Sequence, residues 1–301
     1  MALSKKKNTA IKDCASDKVF YAIVNVIMFV ILLIVLVPIL NVIASSFSSG
    51  EAVSAGKVGL WPVNPTLEGY KAVFKYDDIM TGFKNSVIYT VFGTIIHVVM
   101  TLLCAYPLSR ADMPFRDRLM FLFSFTMLFG GGIIPTYLLM ESLGIINTRW
   151  AILIPGSISV YNMIVTRTNF QQIPKELLEA AKIDGCSDFR FFATMVLPLS
   201  KAIIAVITLF YAVGLWNVYF HATIYLTKME LQPLQVILKN ILIANQQNAD
   251  ALTGDGDAER ANFQDLIKYA LIMVASVPVW CVYPFVQKFF VQGVMVGSIK
   301  G

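Results

Sequence analysis

The stretch at residues 179–198, EAAKIDGCSDFRFFATMVLP, decides how the rest of the chain is read. It carries five charged residues and a central glycine, yet long apolar runs flank it on both sides. Pro174 suits the first turn of a helix, and KELLEAAKID then leads to Gly185, a residue fitted to the left-handed position just past a helix end. Ser187 or Asp188 can cap a second helix that ends near Leu197 and Pro198. Leu177, Leu178 and Ala181 share a stripe of the first helix with Ala180 beside them, and Glu179 offers a charge to a partner. A helix this short is not stable alone in water. It needs a surface to dock on.

The chain around this stretch has 301 residues, 57% hydrophobic and 14% charged; soluble domains average about 25% charged. Reading from charge to charge gives six uncharged runs, at residues 19–50, 85–109, 119–140, 150–166, 202–227 and 269–287. Each is long enough for a membrane-crossing helix, which needs roughly 17–25 residues. The expected fold is therefore all-α, a polytopic membrane protein of six transmembrane helices with a docking helix between two of them. Its expected parts are a tail at 1–18, a membrane domain at 19–287 containing the polar segment 167–201, and a second tail at 288–301. The basic start, MALSKKKNTAIKDCASDK, precedes an apolar run too long for a cleavable signal peptide, so the first run reads as an uncleaved helix.

Six spans put both ends on one side. With the ends inside, the inner segments hold 15 of the 24 Lys and Arg residues and a net charge of +7, against −2 outside. The positive-inside rule then places both termini and residues 179–198 in the cytoplasm of a cell-membrane protein. The net +5 of the chain belongs to these inner flanks, so it does not indicate nucleic acid as a partner. Cys14, Cys104, Cys186 and Cys281 all fall on the inner side or in the spans, where no disulfide is expected, and they are too scattered to hold a metal. Two outer loops have some size. The first, residues 45–84, contains Pro62 and Pro65 and reads as ordered turns; the second, residues 228–268, includes QQNADALTGDGDAERANFQ and reads as a solvated acidic loop without EF-hand spacing.

None of the six runs contains Asp, Glu, Lys or Arg. Intramembrane charges usually serve ion and proton relays, so their absence disfavours a gradient-driven transporter or channel. The third run contains LFGGGIIPTY, and its glycines, Gly131 among them, are open to two readings: close helix packing, or a broken helix lining a pathway. The fifth contains GLWNVYFHATIYL, where Trp216, Asn217, Tyr219 and His221 combine flat apolar faces with hydrogen-bonding groups. Sugars need both, and an interfacial aromatic belt uses the same residues. His97, alone in the second run, reads as a helix–helix hydrogen bond.

Glu179-Ala180-Ala181, three residues, Gly185 and then Leu197-Pro198 resemble the coupling motif of the membrane subunits of ABC importers. Met195 stands where that family commonly has isoleucine. GIIPTYLLMESLGIINTRWAILIP, the Trp216-Asn217 pair, PLQ at residues 233–235 and the closing GSIKG resemble carbohydrate-importer permeases of the maltose type, nearest the oligosaccharide and alginate-type group. Val218 departs from the acid that many such permeases carry there. The resemblance implies a permease rather than an enzyme, binding no cofactor itself, with ATP and magnesium held by partner ATPases. It implies a heterodimer with a second, related permease, two ATPase subunits, an extracytoplasmic solute-binding protein and a carbohydrate substrate. Glu179, Ala180, Ala181, Gly185, Leu197 and Pro198 would couple to the ATPases, and Gly293, Gly297, Lys300 and Gly301 in the tail would touch them. The nearest approach to a phosphate-binding loop, Gly50 to Lys57, has one residue too many and lacks the hydroxyl. A membrane scaffold that anchors a partner without transport is the remaining alternative, and substrate flux separates the two.

Overall fold

The computed structural model describes residues 14–251 and 265–284, and every regular element among them is helical. Three helices are each long and apolar enough to cross a bilayer: Ala15–Ser46 with 32 residues, Asp77–Ser109 with 33 and Asp265–Pro284 with 20. Two further apolar segments are bent pairs. Arg116–Leu128 meets Ile133–Ser142 at 113°, and Asp188–Leu199 meets Lys201–Trp216 at 83°. The glycines at 130–132 form the first bend, with Gly132 at φ +86°. A Cβ added at Gly130 or Gly131 would meet no atom within 4 Å, so close packing within this chain is not what these residues supply.

The run at 150–166, expected as one span, is divided. Trp150–Leu153 ends at a turn through Pro155 and Gly156, and Val160–Phe170 starts afresh beyond it. Proline has no N–H and crowds the carbonyl four residues back; Gly156 then takes φ +73°, open to glycine at little cost. The second outer loop also differs from expectation. Leu234–Ala251 is an 18-residue helix, because Leu234, Val236 and Ile237 bury against Asp77–Ser109. Its acidic continuation, residues 252–264, lies outside the described residues. The first outer loop is ordered, as its prolines suggested. Ser49 N donates to Val63 O, Thr66 N to Phe47 O, and Asn41 Nδ2 to the carbonyls of Val58 and Gly59.

Two apolar cores stack along the helices Asp77–Ser109 and Lys201–Trp216, which pack on each other and contribute to both. One core, near the first outer loop's end of the molecule, joins Tyr89, Ile152, Leu153, Leu215, Tyr225 and Val236. The other, toward the hairpin at 175–199, joins Leu102, Leu108, Met163, Phe170, Phe192 and Tyr211. A third, smaller cluster binds Glu68–Lys75 and the start of Leu234–Ala251 to Asp265–Pro284. The first helix stays apart: residues 16–39 are exposed throughout.

The hairpin is closed by local chemistry and tied down by one arginine. Lys175–Ile183 ends in a Schellman arrangement, with Cys186 N donating to Ala181 O at 2.9 Å, Gly185 N to Lys182 O at 3.1 Å, and Gly185 at φ +72°. Pro174 is the N-cap rather than a first-turn residue. Ser187, not Asp188, caps the next helix by accepting from Arg190 N. The helix then passes through a π-helical stretch, Phe192–Val196, just ahead of Pro198 and its missing N–H. Asp188 is thereby free for Arg110, whose Nη1 donates to it at 2.9 Å while Nε and Nη2 grip Asp112 at 2.8 and 2.6 Å. Lys182 Nζ reaches the same Asp112 carboxylate at 3.5 Å. The short basic turn after Asp77–Ser109 thus holds both arms of the hairpin. The Arg110 hydrogen bonds keep the Asp112 carboxyl well below the usual carboxylate range.

Two outcomes follow from this packing. A Cβ at Gly69 would sit 2.9 Å from the Leu266 carbonyl oxygen and 3.2 Å from the Ala270 Cβ. Gly69→Val should destabilise the fold by about 1–3 kcal/mol, seen as a lower melting midpoint in detergent; an unchanged midpoint contradicts the contact. Asp112→Asn should cost at most about 1 kcal/mol, since the carboxylate is over half exposed and screened. The sign follows from a depressed folded-state pKa: the difference from wild type is present above about pH 4 and vanishes as pH falls through the depressed value. A difference that instead grows on acidification contradicts the pairing.

Candidate functional site

The hairpin presents two faces. Leu178 and Ala181 turn inward, half-buried on the Phe170–Phe192 core with Ile173 and Leu197. The stripe expected from Leu177, Leu178 and Ala181 is therefore split, and Leu177 looks outward. With Ala180 and Ile183 it forms an outer strip spaced by three residues, and Phe189 on the second arm is also exposed. Ile183 is 87% exposed and Phe189 73%, which is unusual for large apolar side chains beside a charged turn. Glu179 and Pro198 are exposed as well. Behind the hairpin lies a cavity of about 410 Å³, lined by Glu179 together with Arg110, Arg116, Lys175 and Lys182. The motif residues are thus brought together on one unit, Gly185 shaping its turn and Leu197 seating its second arm.

A second cavity of about 410 Å³ lies where the two cores meet, between Lys201–Trp216 and the break in the fourth run. His97, Thr136, Pro155, Tyr211, His221 and Tyr225 contribute to its wall. Of the residues expected along a pathway, His221 is on this wall, exposed, with its ring stacked on Tyr225 at 5.9 Å. Asn217 turns its amide back to Val213 O at 2.9 Å, and Tyr219 lies under Lys239 Nζ at 4.2 Å, both beside the cavity rather than on it. Trp216 lies off this cavity. Its side chain is buried at 5% exposure, its indole N–H donates to Ala275 O at 3.0 Å, and Phe83 packs on it edge-on. It holds Asp265–Pro284 in place and lines a smaller apolar cavity with Val91, Val213 and Pro278, apart from the one between the cores. Gly131 is exposed at the bend and lines neither cavity.

His97 makes the expected interhelical bond, its Nε2–H donating to Leu153 O at 3.1 Å. Tyr211 and Thr136 are functional candidates that residue types alone did not single out. A lone tyrosine in KAIIAVITLFYAVGLW was the available signal. Gly293, Gly297, Lys300 and Gly301 lie outside the described residues. Among the described residues, no group of three or more His, Cys, Asp or Glu side chains is placed to hold a metal ion.

The comparisons with known proteins agree with this architecture. The chain is 41% identical over 285 residues to the polygalacturonan/rhamnogalacturonan transport system permease protein YtcP of Bacillus subtilis (strain 168), covering 95% of this chain and 99% of that one. It is 40% identical to Protein LplC of the same organism, over 89% of this chain and 90% of that one. Among solved structures, a chain of a bacterial ABC transporter involved in the import of the acidic polysaccharide alginate superposes with a TM-score of 0.84 at 33% identity, over 93% of this chain and all of that one. The family model described as binding-protein-dependent transport system inner membrane component matches residues 14–296, and the chain belongs to that family.

Proposed function

We propose that this chain is one of two related membrane halves of an ATP-driven importer that carries oligosaccharides into the cell. The observation that carries this reading is the hairpin: a helix–turn–helix locked by Gly185 and Arg110, seated on the core by one face and presenting Leu177, Ala180, Ile183 and Phe189 on the other. An exposed apolar strip on a rigid, charge-tied unit suits a docked protein. Two ATPase subunits, holding ATP and magnesium, supply that protein and the energy. Both termini and the hairpin lie in the cytoplasm, on the side favoured by the basic residues. The exposed first helix is available to the second permease, and the ordered segment 45–76 to a solute-binding protein. The names of the similar proteins, acting on polygalacturonan, rhamnogalacturonan and alginate, support an oligosaccharide substrate, with uronate-containing chains foremost.

In this mechanism ATP-driven closure of the ATPases moves the hairpin. Its second arm continues through Ser200 into Lys201–Trp216, and its first arm continues back through residues 171–174 into Val160–Phe170. Lys201–Trp216 lines the cavity between the cores, and Val160–Phe170 begins just beyond Pro155 and Gly156 on its wall, so the movement alters access to it from one side or the other. His221 and Tyr225 offer aromatic faces and polar edges to a passing sugar, whereas the Tyr211 hydroxyl is taken by Ser159 N and Thr101.

Two outcomes test the proposal. The complex purified with its partner permease and ATPases should hydrolyse ATP faster with sugar-loaded than with empty binding protein; no response to any oligosaccharide would remove the importer reading. Gly185→Pro forces φ to about −65° where the turn needs a positive value, and deletes the N–H that donates to Lys182 O. Membrane insertion should survive while uptake falls about tenfold or more, a loss of only ~1.4 kcal/mol of docking being enough for that factor. Normal uptake by a well-inserted variant would exclude the coupling role.

A further inference from the structure

The break in the fourth run leaves two helix ends inside the protein, one held directly by Asp77–Ser109 and the other held by Lys201–Trp216 through a side chain that pairs with the same face of Asp77–Ser109. Trp150–Leu153 stops before Pro155, and Ser157 N turns back to Ile154 O, so the Leu153 carbonyl receives its hydrogen bond from outside, from His97 Nε2 at 3.1 Å. Val160–Phe170 begins after Ser159, whose own N–H donates to Tyr211 Oη at 3.0 Å. Tyr211 Oη in turn pairs with Thr101 Oγ1 at 2.6 Å. His97 and Thr101 are four residues apart, hence one above the other on Asp77–Ser109. The rings of His97 and Tyr211 meet edge-to-face at 5.2 Å. His97, Thr101 and Tyr211 are at least nine-tenths buried.

The halves joined at this break belong to different cores. Ile152 and Leu153 pack with Tyr89 and Leu215, whereas Met163 and Phe170 pack with Leu102 and Phe192. The half on the hairpin side is pinned further by Arg167 Nε on Leu108 O at 2.8 Å, and it leads through a short turn into Lys175–Ile183. Pro155 and Gly156, the break itself, form part of the cavity wall. A joint free to flex here would absorb any push from the hairpin before it reached the cavity.

We propose that His97, Thr101 and Tyr211 are positioning residues that clamp this break into a rigid strut, so that hairpin movement is delivered to the cavity wall at Pro155 and Gly156. The inference rests on the importer reading above. Its mechanism is geometric. Tyr211 takes the N–H of the incoming helix and hands its own hydroxyl contact to Thr101, while His97, one turn away, takes the carbonyl of the outgoing helix. Both ends of the break are thereby referred to a single rigid helix.

The test uses the complete transporter in proteoliposomes, reading sugar uptake and ATP hydrolysis together. Tyr211→Phe removes the hydroxyl alone, and His97→Leu removes the donor. Each should lower sugar moved per ATP hydrolysed by about fivefold or more, in the range of ordinary site-to-site coupling, while ATP hydrolysis and subunit assembly persist. His97→Gln, which keeps a donor toward Leu153 O, should restore most of the ratio. Thr101→Val combined with Tyr211→Phe should do no more harm than Tyr211→Phe alone. Spin labels at positions 150 and 161, both more than half exposed on either side of the break, give a second readout. Their separation should stay constant through the ATP cycle in the otherwise wild-type complex and broaden in Tyr211→Phe. Unchanged coupling ratios in both variants, or identical distance distributions, would overturn the strut. So would proportional loss of uptake, ATP hydrolysis and assembly with no rescue by His97→Gln, which is the signature of a plain folding contact. A wild-type complex that hydrolyses ATP but moves no sugar would instead bring down the importer reading, and this inference with it.

Discussion

A backbone inside a bilayer has no water to satisfy its N–H and C=O groups, and each group left bare costs several kcal/mol. This chain nevertheless interrupts its apolar runs at Gly130–Gly132 and at Pro155 and Gly156, and it turns again at Ser200 beside the polar hairpin. The break inside the fourth run needs outside partners, and the rest of the architecture supplies them. At Pro155 the partners are side chains on the two longest-packed helices. At Ser200 the turn keeps its own bonds, Ser200 N to Val196 O and Ile204 N to Ser200 O. The interruptions are also where the chain turns direction, so the constraint that makes them costly makes them well defined.

The same economy appears at the opposite end. Asn85 and Tyr89 donate to the carbonyls of Glu230, Gln232 and Leu231, and Ser86 accepts from Leu234 N. Asn147, at φ +57°, gathers Thr227 N, Thr227 Oγ1 and Lys228 N on one side-chain oxygen. Polar side chains in nominally apolar runs are thus spent on irregular backbone. With the hairpin tied by Arg110 at one end and these bonds at the other, the stretch between them can act as a unit.

Much of this was legible in the residues. The uncharged runs located the membrane helices because charge is excluded from lipid whatever the tertiary fold. Gly185 and Ser187 marked the hairpin turn because capping is local. What escaped was non-local. Run length concealed the break at Pro155, although the Pro-Gly pair stood in view, since hydropathy does not register backbone hydrogen bonding. Trp216 looked like a sugar-stacking residue by type; its burial depends on the phase of Lys201–Trp216 against Asp265–Pro284, which no short motif encodes. The Arg110 tie spans 78 residues to Asp188, so the basic turn showed only as charge. Leu234–Ala251 was hidden by the polar composition that follows it.

The transporter reading turns on the exposed strip of the hairpin being the seat of an ATPase subunit. Its most direct test is a photo-crosslinking residue placed at position 183, where the native isoleucine is 87% exposed, in living cells expressing the whole transporter. A seated ATPase should give a dominant crosslink there, absent from a control position such as 28 on the first helix, which is exposed but remote. Crosslinking at 183 to lipid alone, or to no protein, would contradict it.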